Sequence, residues 1–334
     1  MIMLTLRRNR KNDADNSAPP SRKDTDSETK RRGASQWAVA WRRFKKHKSG
    51  LFGLGMIVVL LIVAIFNNVI APYPARPAPD ALKPLYDGEA AQAPSWKHPF
   101  GTTRMGLDVF SEIVHGSVYT IYVAVAATLI TTVLTVAVGI TAGYFGRYID
   151  ELLMRITEIF LVFPSLLLIL VFARIFQLGN AEPFYSFLGI NIPIGLTMII
   201  LIVSIFAWAG NARVVRGEVL RLKETEFIQA EKSLGASSWW IMLKHVFPNV
   251  LPQIIVLATL SMASAVLVEA AVSFLGFGDP NTYTWGRLME ESYSDMSTTW
   301  WSEVFPGLAV FLAVLAFNLV GDGIADALNP RLRE

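Results

Sequence analysis

The sequence predicts an all-α, polytopic membrane protein with six transmembrane helices and both termini in the cytoplasm. Three observations carry this. Of the 334 residues, 53% are hydrophobic and 17% charged, with a mean hydropathy of +0.42, whereas soluble domains carry about 25% charged residues. Six apolar runs, over 51–71, 116–145, 156–178, 192–211, 249–274 and 304–322, are each long enough to cross a hydrocarbon core of about 30 Å as a helix. Lys and Arg are then unevenly shared. With the N-terminus inside, the tail to residue 50 holds 14, the 146–155 loop 2, the 212–247 loop 6 and the C-terminal tail 2, so 24 of the 30 lie on the inner side. Positive charge of short loops favours the cytoplasm.

In chain order, residues 1–34 are polar and rich in Arg and Lys, with interspersed Asp, Ser and Pro. Such a composition cannot build a core, and the segment is expected to be a disordered cytoplasmic tail. The first apolar run begins only near residue 51, too late for a secretory signal. A positive-inside tail is the favoured reading over a nucleic-acid binder. Over 35–50, Trp37, Trp41 and Phe44 share one helical face while Arg42, Arg43, Lys45, Lys46 and Lys48 surround it. That is the pattern of an amphipathic helix lying in the membrane interface, in contact with the bilayer.

The first span, 51–71, leads into an outer loop over 72–115 whose first part holds Pro72, Pro74, Pro77, Pro79, Pro84, Pro94 and Pro99, a stiff extended segment. The core, 116–322, supplies five further spans. The third, 156–178, starts with Arg155 and Glu158 nearby, contains Pro164 and ends near Arg174. Inside a membrane such a proline is expected to kink the helix rather than end it. The outer segment 275–303 sets Asp279, Glu290, Glu291, Asp295 and Glu303 against Arg287. A solvated acidic loop is favoured; a docking surface for an extracellular partner is the alternative. Residues 323–334 form a cytoplasmic C-terminal tail.

The stretch 221–248 is a polar, helix-prone insert between two apolar runs. Phe227, Ala230 and Leu234 fall at i, i+3 and i+7, one face of a helix. Gly235 is the natural stop. Ser237 or Ser238 can cap a second helix carrying Trp239, Met242, Leu243 and Val246. Pro248 suits the first turn of the next helix. Helix, glycine turn and helix together make a lever at the cytoplasmic end of two spans.

Nothing in the chain could drive that lever. Gly-x4-Gly-Lys-Ser/Thr is absent, so no P-loop holds a nucleotide here. His-Glu-x-x-His and Gly-x-Ser-x-Gly are also absent, the four histidines are scattered, and no cysteine is present. No metal site or catalytic residue is expected. Glu269 stands deep in the fifth run, where a carboxylate is a functional candidate by default. It could carry a proton, contact a substrate or hydrogen-bond between helices; the last is favoured, since one carboxylate is too few for a relay. Asp322 and Asp326, at the exit of the sixth run, are expected to be solvated.

Gln229-Ala230-Glu231, followed at fixed spacing by Gly235 and Val246-Phe247-Pro248, resembles the "EAA" loop of the membrane subunits of ATP-binding-cassette importers. Gln229 replaces the usual Glu, Glu231 the second Ala, and Phe247 the Leu before Pro. Further matches extend the resemblance over about 36–333, to the C-type permease subunits of the dipeptide/oligopeptide importer family. They are His98-Pro99-Phe100-Gly101-Thr102 with Gly106-Leu107-Asp108-Val109, where Leu107 stands for the family's usual Arg; Gly143-Tyr144-Phe145-Gly146; Asp150 to Arg155; Phe163-Pro164; and Val214 to Glu218. Glu269 to Gly278, Trp285-Gly286, Asn318 to Gly323 and Asp326 to Arg331 complete them.

The resemblance implies the type I ABC importer permease fold in a prokaryotic inner membrane. It also implies a homologous second permease, two cytoplasmic ATPase subunits that bind ATP and Mg, and an extracytoplasmic binding protein. The EAA loop would dock on an ATPase, so Glu226, Gln229, Ala230, Glu231, Gly235 and Ala236 become the expected coupling residues. The chain itself would be no enzyme. Peptides are the favoured cargo, with nickel chelates, glutathione or oligosaccharides as alternatives within the family. A proton-coupled carrier would need inverted repeats and several membrane carboxylates, and Glu269 is nearly alone.

Overall fold

In the computed structural model the apolar runs fold as helices, described over residues 36–74, 90–176, 185–187, 190–192, 194–280 and 282–329. The tail at 1–34, the 75–89 part of the proline-rich loop and the side chain of Trp37 lie outside the described residues.

The first helices are α1 (Gln36–Phe44), α2 (Lys48–Ile65) and the short α3 (Asn67–Ile70). His47 caps α2: its Nδ1 accepts from the Gly50 amide at 3.1 Å, satisfying one of the donors a helix start leaves open. Of the face expected to meet lipid on α1, Phe44 turns inward and packs with Leu54, Val320, Ile324 and Ala327. Trp41 stays half-exposed under the Lys45 ammonium, 5.2 Å from the ring centroid. Arg43 donates to the Asn329 carbonyl at 3.1 Å, and His47 Nε2 lies 3.1 Å from Asp326 Oδ2. Asp326 therefore has a partner, rather than water alone.

α4 (Val109–Phe145) has 37 residues and begins ahead of the apolar run at 116. Its start is fixed by Asp108, whose Oδ2 accepts from the Ser111 amide at 2.8 Å and the Ser111 hydroxyl at 2.7 Å, while Oδ1 meets buried His98 Nδ1 at 2.8 Å. At about 55 Å the helix is longer than a membrane core is thick. Gly146, at φ 65°, ends it.

α5 (Arg147–Val162) and α6 (Ser165–Phe176) correct the sequence reading of the third span. Pro164 does more than kink this helix. Phe163 adopts φ −83°, ψ 140°, and the two halves diverge by 82°. A proline ring disfavours helical geometry in the residue before it, and Phe163 takes the extended alternative. Among the described residues, five helices are long and apolar enough to cross a membrane, or six spans result if α5 and α6 are one broken span.

Beyond α6 lie β1 (Tyr185–Phe187) and β2 (Ile190–Ile192), a small antiparallel hairpin pairing Tyr185 with Ile192. These are the only strands among the described residues. α7 (Ile194–Lys223) then runs well past the predicted end at 211, because no proline interrupts Ala212 to Lys223 and Gly217 is flanked by good helix formers. It lies along α4, and the contact is made by Gly139 and Gly143, four residues apart. A Cβ on Gly139 would come within 2.8 Å of Val215 Cβ, and one on Gly143 within 2.7 Å of Val219 Cβ. This small-xxx-small spacing lets two helix backbones approach closely.

The lever comprises α8 (Glu226–Ser233) and α9 (Ser238–Ile241). A π-helical turn, Met242–Val246, joins α9 to α10 (Phe247–Val272), and a second, Ser273–Phe277, follows α10. The second lever helix and the apolar run at 249–274 are thus one continuous helix, not two. α11 (Trp285–Ser292) and α12 (Trp301–Leu328) finish the chain.

The 275–303 segment is not the solvated acidic loop expected. Trp285 is buried and donates its Nε1–H to the Ile113 carbonyl at 2.9 Å; Trp301 donates to the Thr102 carbonyl at 3.0 Å. Burial of those rings pulls the segment onto the bundle end. Three of its acids find partners there: buried Asp279 accepts from the Leu196 amide at 3.2 Å, Arg287 meets Glu291 at 3.1 Å, and Arg104 meets Asp295 at 2.7 Å.

Candidate coupling surface and membrane cleft

The lever is held by a compact apolar base. Ile228 of α8 is fully buried, together with Ile241, Met242 and Val246, against Val219 and Leu222 of α7 and Ile140 and Tyr144 of α4. The ends of α4, α7 and the α9–α10 helix therefore meet beneath α8. At about 25 cal/mol per Å² of apolar surface removed from water, such a cluster favours α8 staying packed on the ends of α4, α7 and α10.

The sequence reading placed the apolar face of α8 at Phe227, Ala230 and Leu234. That face is the exposed one, with Leu234 at 83%, and Ile228 is the residue turned inward. The second lever helix divides likewise: Met242 and Val246 are buried, Trp239 and Leu243 exposed. Helical periodicity finds an apolar stripe but not the partner that covers it.

The six expected coupling residues lie close in sequence around one turn. Glu226, Gln229, Ala230 and Gly235 are exposed or partly so, as are Glu231 and Ala236. Thr225 stands at the N-cap of α8 and Ser237 at that of α9, where its Oγ accepts from the Trp240 amide at 3.3 Å. Gly235 adopts φ +84°, a left-handed geometry that glycine reaches without strain. Among the described residues, no atom lies within 4 Å of the position a Cβ would take there, so the surface at this turn is open.

Polar contacts brace the same unit. Gln229 Nε2 donates to the Lys223 carbonyl at 3.1 Å, and Glu231 Oε1 lies 3.6 Å from His245 Nε2. The Lys232 ammonium sits over the Tyr144 ring, 5.5 Å from its centroid. Burial, then the nearby Lys223, pulls that ammonium below the usual lysine range, with Glu224 opposing. Asp150 of α5 accepts two hydrogen bonds from Arg216 of α7, at 2.5 and 2.6 Å, the fork geometry that favours arginine over lysine.

Glu269 is only 1% exposed, near the end of α10 away from the lever. Its Oε1 accepts from Ser273 Oγ at 2.6 Å, and Thr284 at the cap of α11 sits beside the same carboxyl. The structure does not bring Glu269 to the lever, nor to the cleft described next.

Sequence reasoning missed a cleft of about 290 Å³ between α4, α7 and α10. Thr128, Thr131, Asn211, Ser261 and Ser264 put polar groups on walls otherwise made of Ala, Val and Leu side chains. Asn211 Nδ2 donates to Ser261 Oγ at 3.0 Å across it. The available signal was a polar residue within each of three apolar runs.

The chain matches two protein-family models. Residues 135–334 match "Binding-protein-dependent transport system inner membrane component", and residues 35–86 match the "N-terminal TM domain of oligopeptide transport permease C". Among curated proteins it is similar to "Glutathione transport system permease protein GsiD" of Escherichia coli O157:H7 and of Shigella boydii serotype 4. Each is 35% identical over 298 residues, 89% of this chain and 91% of the relative. Among solved structures it resembles a chain of the inward-facing MetNI methionine ABC transporter, with TM-score 0.51 and 20% identity over 66% of this chain and 97% of that one.

Proposed function

The chain belongs to the family of binding-protein-dependent inner-membrane transport components, as a C-type permease of an ABC importer, and we propose that it carries small peptides. On this reading it forms half of a translocation pathway beside a homologous second permease. An extracytoplasmic binding protein delivers cargo, and two cytoplasmic subunits bind ATP and Mg and hydrolyse the nucleotide. Both termini and the lever face the cytoplasm, as the distribution of Lys and Arg favours.

The observation that carries the mechanism is the lever's construction. An open surface at Glu226, Gln229, Ala230, Leu234 and Gly235 sits on a buried base that joins α4, α7 and α10. An ATPase seated on that surface moves the base as one body when nucleotide closes it. The spans then shift between inward- and outward-facing states, with ATP supplying the differential binding energy that any population shift requires.

Glutathione is the specific alternative within peptide cargo, favoured by the name of the 35% identical relatives. It is itself a tripeptide, so the two readings differ in the binding protein rather than in the permease. The test is ATP hydrolysis by the purified assembly, with binding protein loaded with dipeptide or with glutathione. The account expects ATPase subunits to co-purify and a loaded binding protein to raise turnover. Stimulation only by a non-peptide ligand overturns the cargo class; absence of any ATPase overturns the coupling role.

A further inference from the structure

We infer that the cleft between α4, α7 and α10 is a cargo subsite that reads the uncharged amide backbone of a passing peptide, through Asn211, Ser261 and Thr128. This rests on the importer reading.

The Thr128 hydroxyl is the starting point. Threonines and serines inside helices ordinarily bond back to a carbonyl one turn earlier. Thr120 does so to Gly116 at 3.2 Å, Thr157 to Leu153 at 2.8 Å, and Ser204 to Ile200 at 2.6 Å. Thr128 does not. It is 4% exposed, it lines the cleft, and its Oγ1 has no hydrogen-bond partner among the described residues. A buried hydroxyl left unpaired is unfavourable, so it is placed for a partner that arrives from the cleft.

Asn211 offers more. One of its donors goes to Ser261; the second N–H and the Oδ1 make no bond among the described residues. A carboxamide presents a donor and an acceptor side by side, the complement of a peptide group. The Ser261 hydroxyl, fixed by Asn211, adds a third polar contact beside it.

The chemistry also excludes. None of the residues lining the cleft is titratable. An ionised group entering it would be desolvated with no countercharge, a heavy penalty, whereas a neutral amide would exchange water for Asn211 and Thr128. The subsite is thus sequence-tolerant: it holds backbone and leaves termini and side chains to the wider pathway. At about 290 Å³ the cleft has room for roughly ten waters, enough for one or two peptide units and less than a full ligand pocket.

The test uses the whole complex in proteoliposomes, with binding protein and the dipeptides Ala-Ala, Lys-Ala and Asp-Ala. The readout is peptide transported per ATP hydrolysed. For T128V and N211L, which keep shape and remove hydrogen bonding, that ratio is expected to fall about fivefold and about tenfold for Ala-Ala, as loss of one or two hydrogen bonds implies. N211D is expected to favour Lys-Ala over Asp-Ala, and N211K the reverse, each by about tenfold. A purely structural cleft would lower transport and hydrolysis in parallel, leaving the ratio unchanged and the charge preference unmoved, and would overturn the subsite. Wild-type complex that shows no ATP-dependent uptake at all would instead overturn the importer reading on which the subsite stands.

Discussion

The Lys232 ammonium lies over the face of the Tyr144 ring, 5.5 Å from its centroid, and so ties the lever to the last turn of α4. Tyr144 is buried, and the same ring packs into the apolar base with Ile228 and Val219. One side chain therefore joins the surface proposed to receive force to the helix proposed to use it.

Tyr144→Phe keeps both the packing and the aromatic face, and near wild-type uptake is expected. Tyr144→Ala removes the ring and leaves a cavity, at about 3 kcal/mol for a buried aromatic. Thermal unfolding of the detergent-purified complex should show the drop for alanine and little change for phenylalanine.

Gly235→Ala meets no steric obstacle among the described residues, so only its φ of +84° resists, at roughly 1 kcal/mol. Uptake should remain substantial. Gly235→Asp adds bulk and charge to the open surface, and transport should be lost while the protein stays at normal level in the membrane. Uptake assays beside immunoblots of membrane fractions check the pair; wild-type uptake by the Asp variant contradicts the docking surface.

The Asp150–Arg216 pair is two-pronged and partly shielded, so Asp150→Asn should destabilise by about 1–2 kcal/mol, more than an exposed pair would. The charge-exchanged double variant D150R/R216D should recover part of that. A double-mutant cycle on the unfolding midpoint measures the coupling, and strict additivity of the two single changes would rule it out.

Gly139 and Gly143 face Val215 and Val219 at distances that leave no space for a side chain, whereas Gly55 has nothing within 4 Å of its Cβ position among the described residues. Gly143→Leu should therefore disrupt the α4–α7 contact and reduce the level of folded protein. Gly55→Leu should not. Size-exclusion profiles of the two variants separate them.

Much of this architecture is legible in the sequence. Gly235 as a stop and Ser237 as a cap are local, and local geometry is what single residues encode; Pro248 starts no new helix, because the π-helical turn before it carries α9 straight into α10. Other features depend on what a face meets. The apolar stripe of Phe227, Ala230 and Leu234 points outward because Ile228 alone of α8 finds the base formed by α4 and α7. The end of α7 at Lys223 was missed because charged residues extend a helix as readily as apolar ones. Pro164 was visible, but whether it kinks or breaks its helix is decided by how Phe163 settles. The spacing of Gly139 and Gly143 is readable; its meaning appears once Val215 and Val219 stand opposite. Asn211 and Ser261 are 50 residues apart, and no periodicity links them into one cleft.

The absence of cysteine from the chain makes the central claim directly testable. Ala230→Cys places a single thiol on the lever helix α8, and Met105→Cys places one on the exposed chain before α4, at the opposite end. Each variant is co-expressed with the ATPase subunits and treated in membranes with a short bifunctional thiol-to-amine cross-linker. The account predicts a cross-linked product between the Ala230→Cys variant and an ATPase subunit, weakened or strengthened by ATP, and none from the Met105→Cys variant. Cross-linking from position 105, or none from position 230 in a complex that still transports, would contradict the assignment of the lever as the surface through which ATP hydrolysis reaches the membrane.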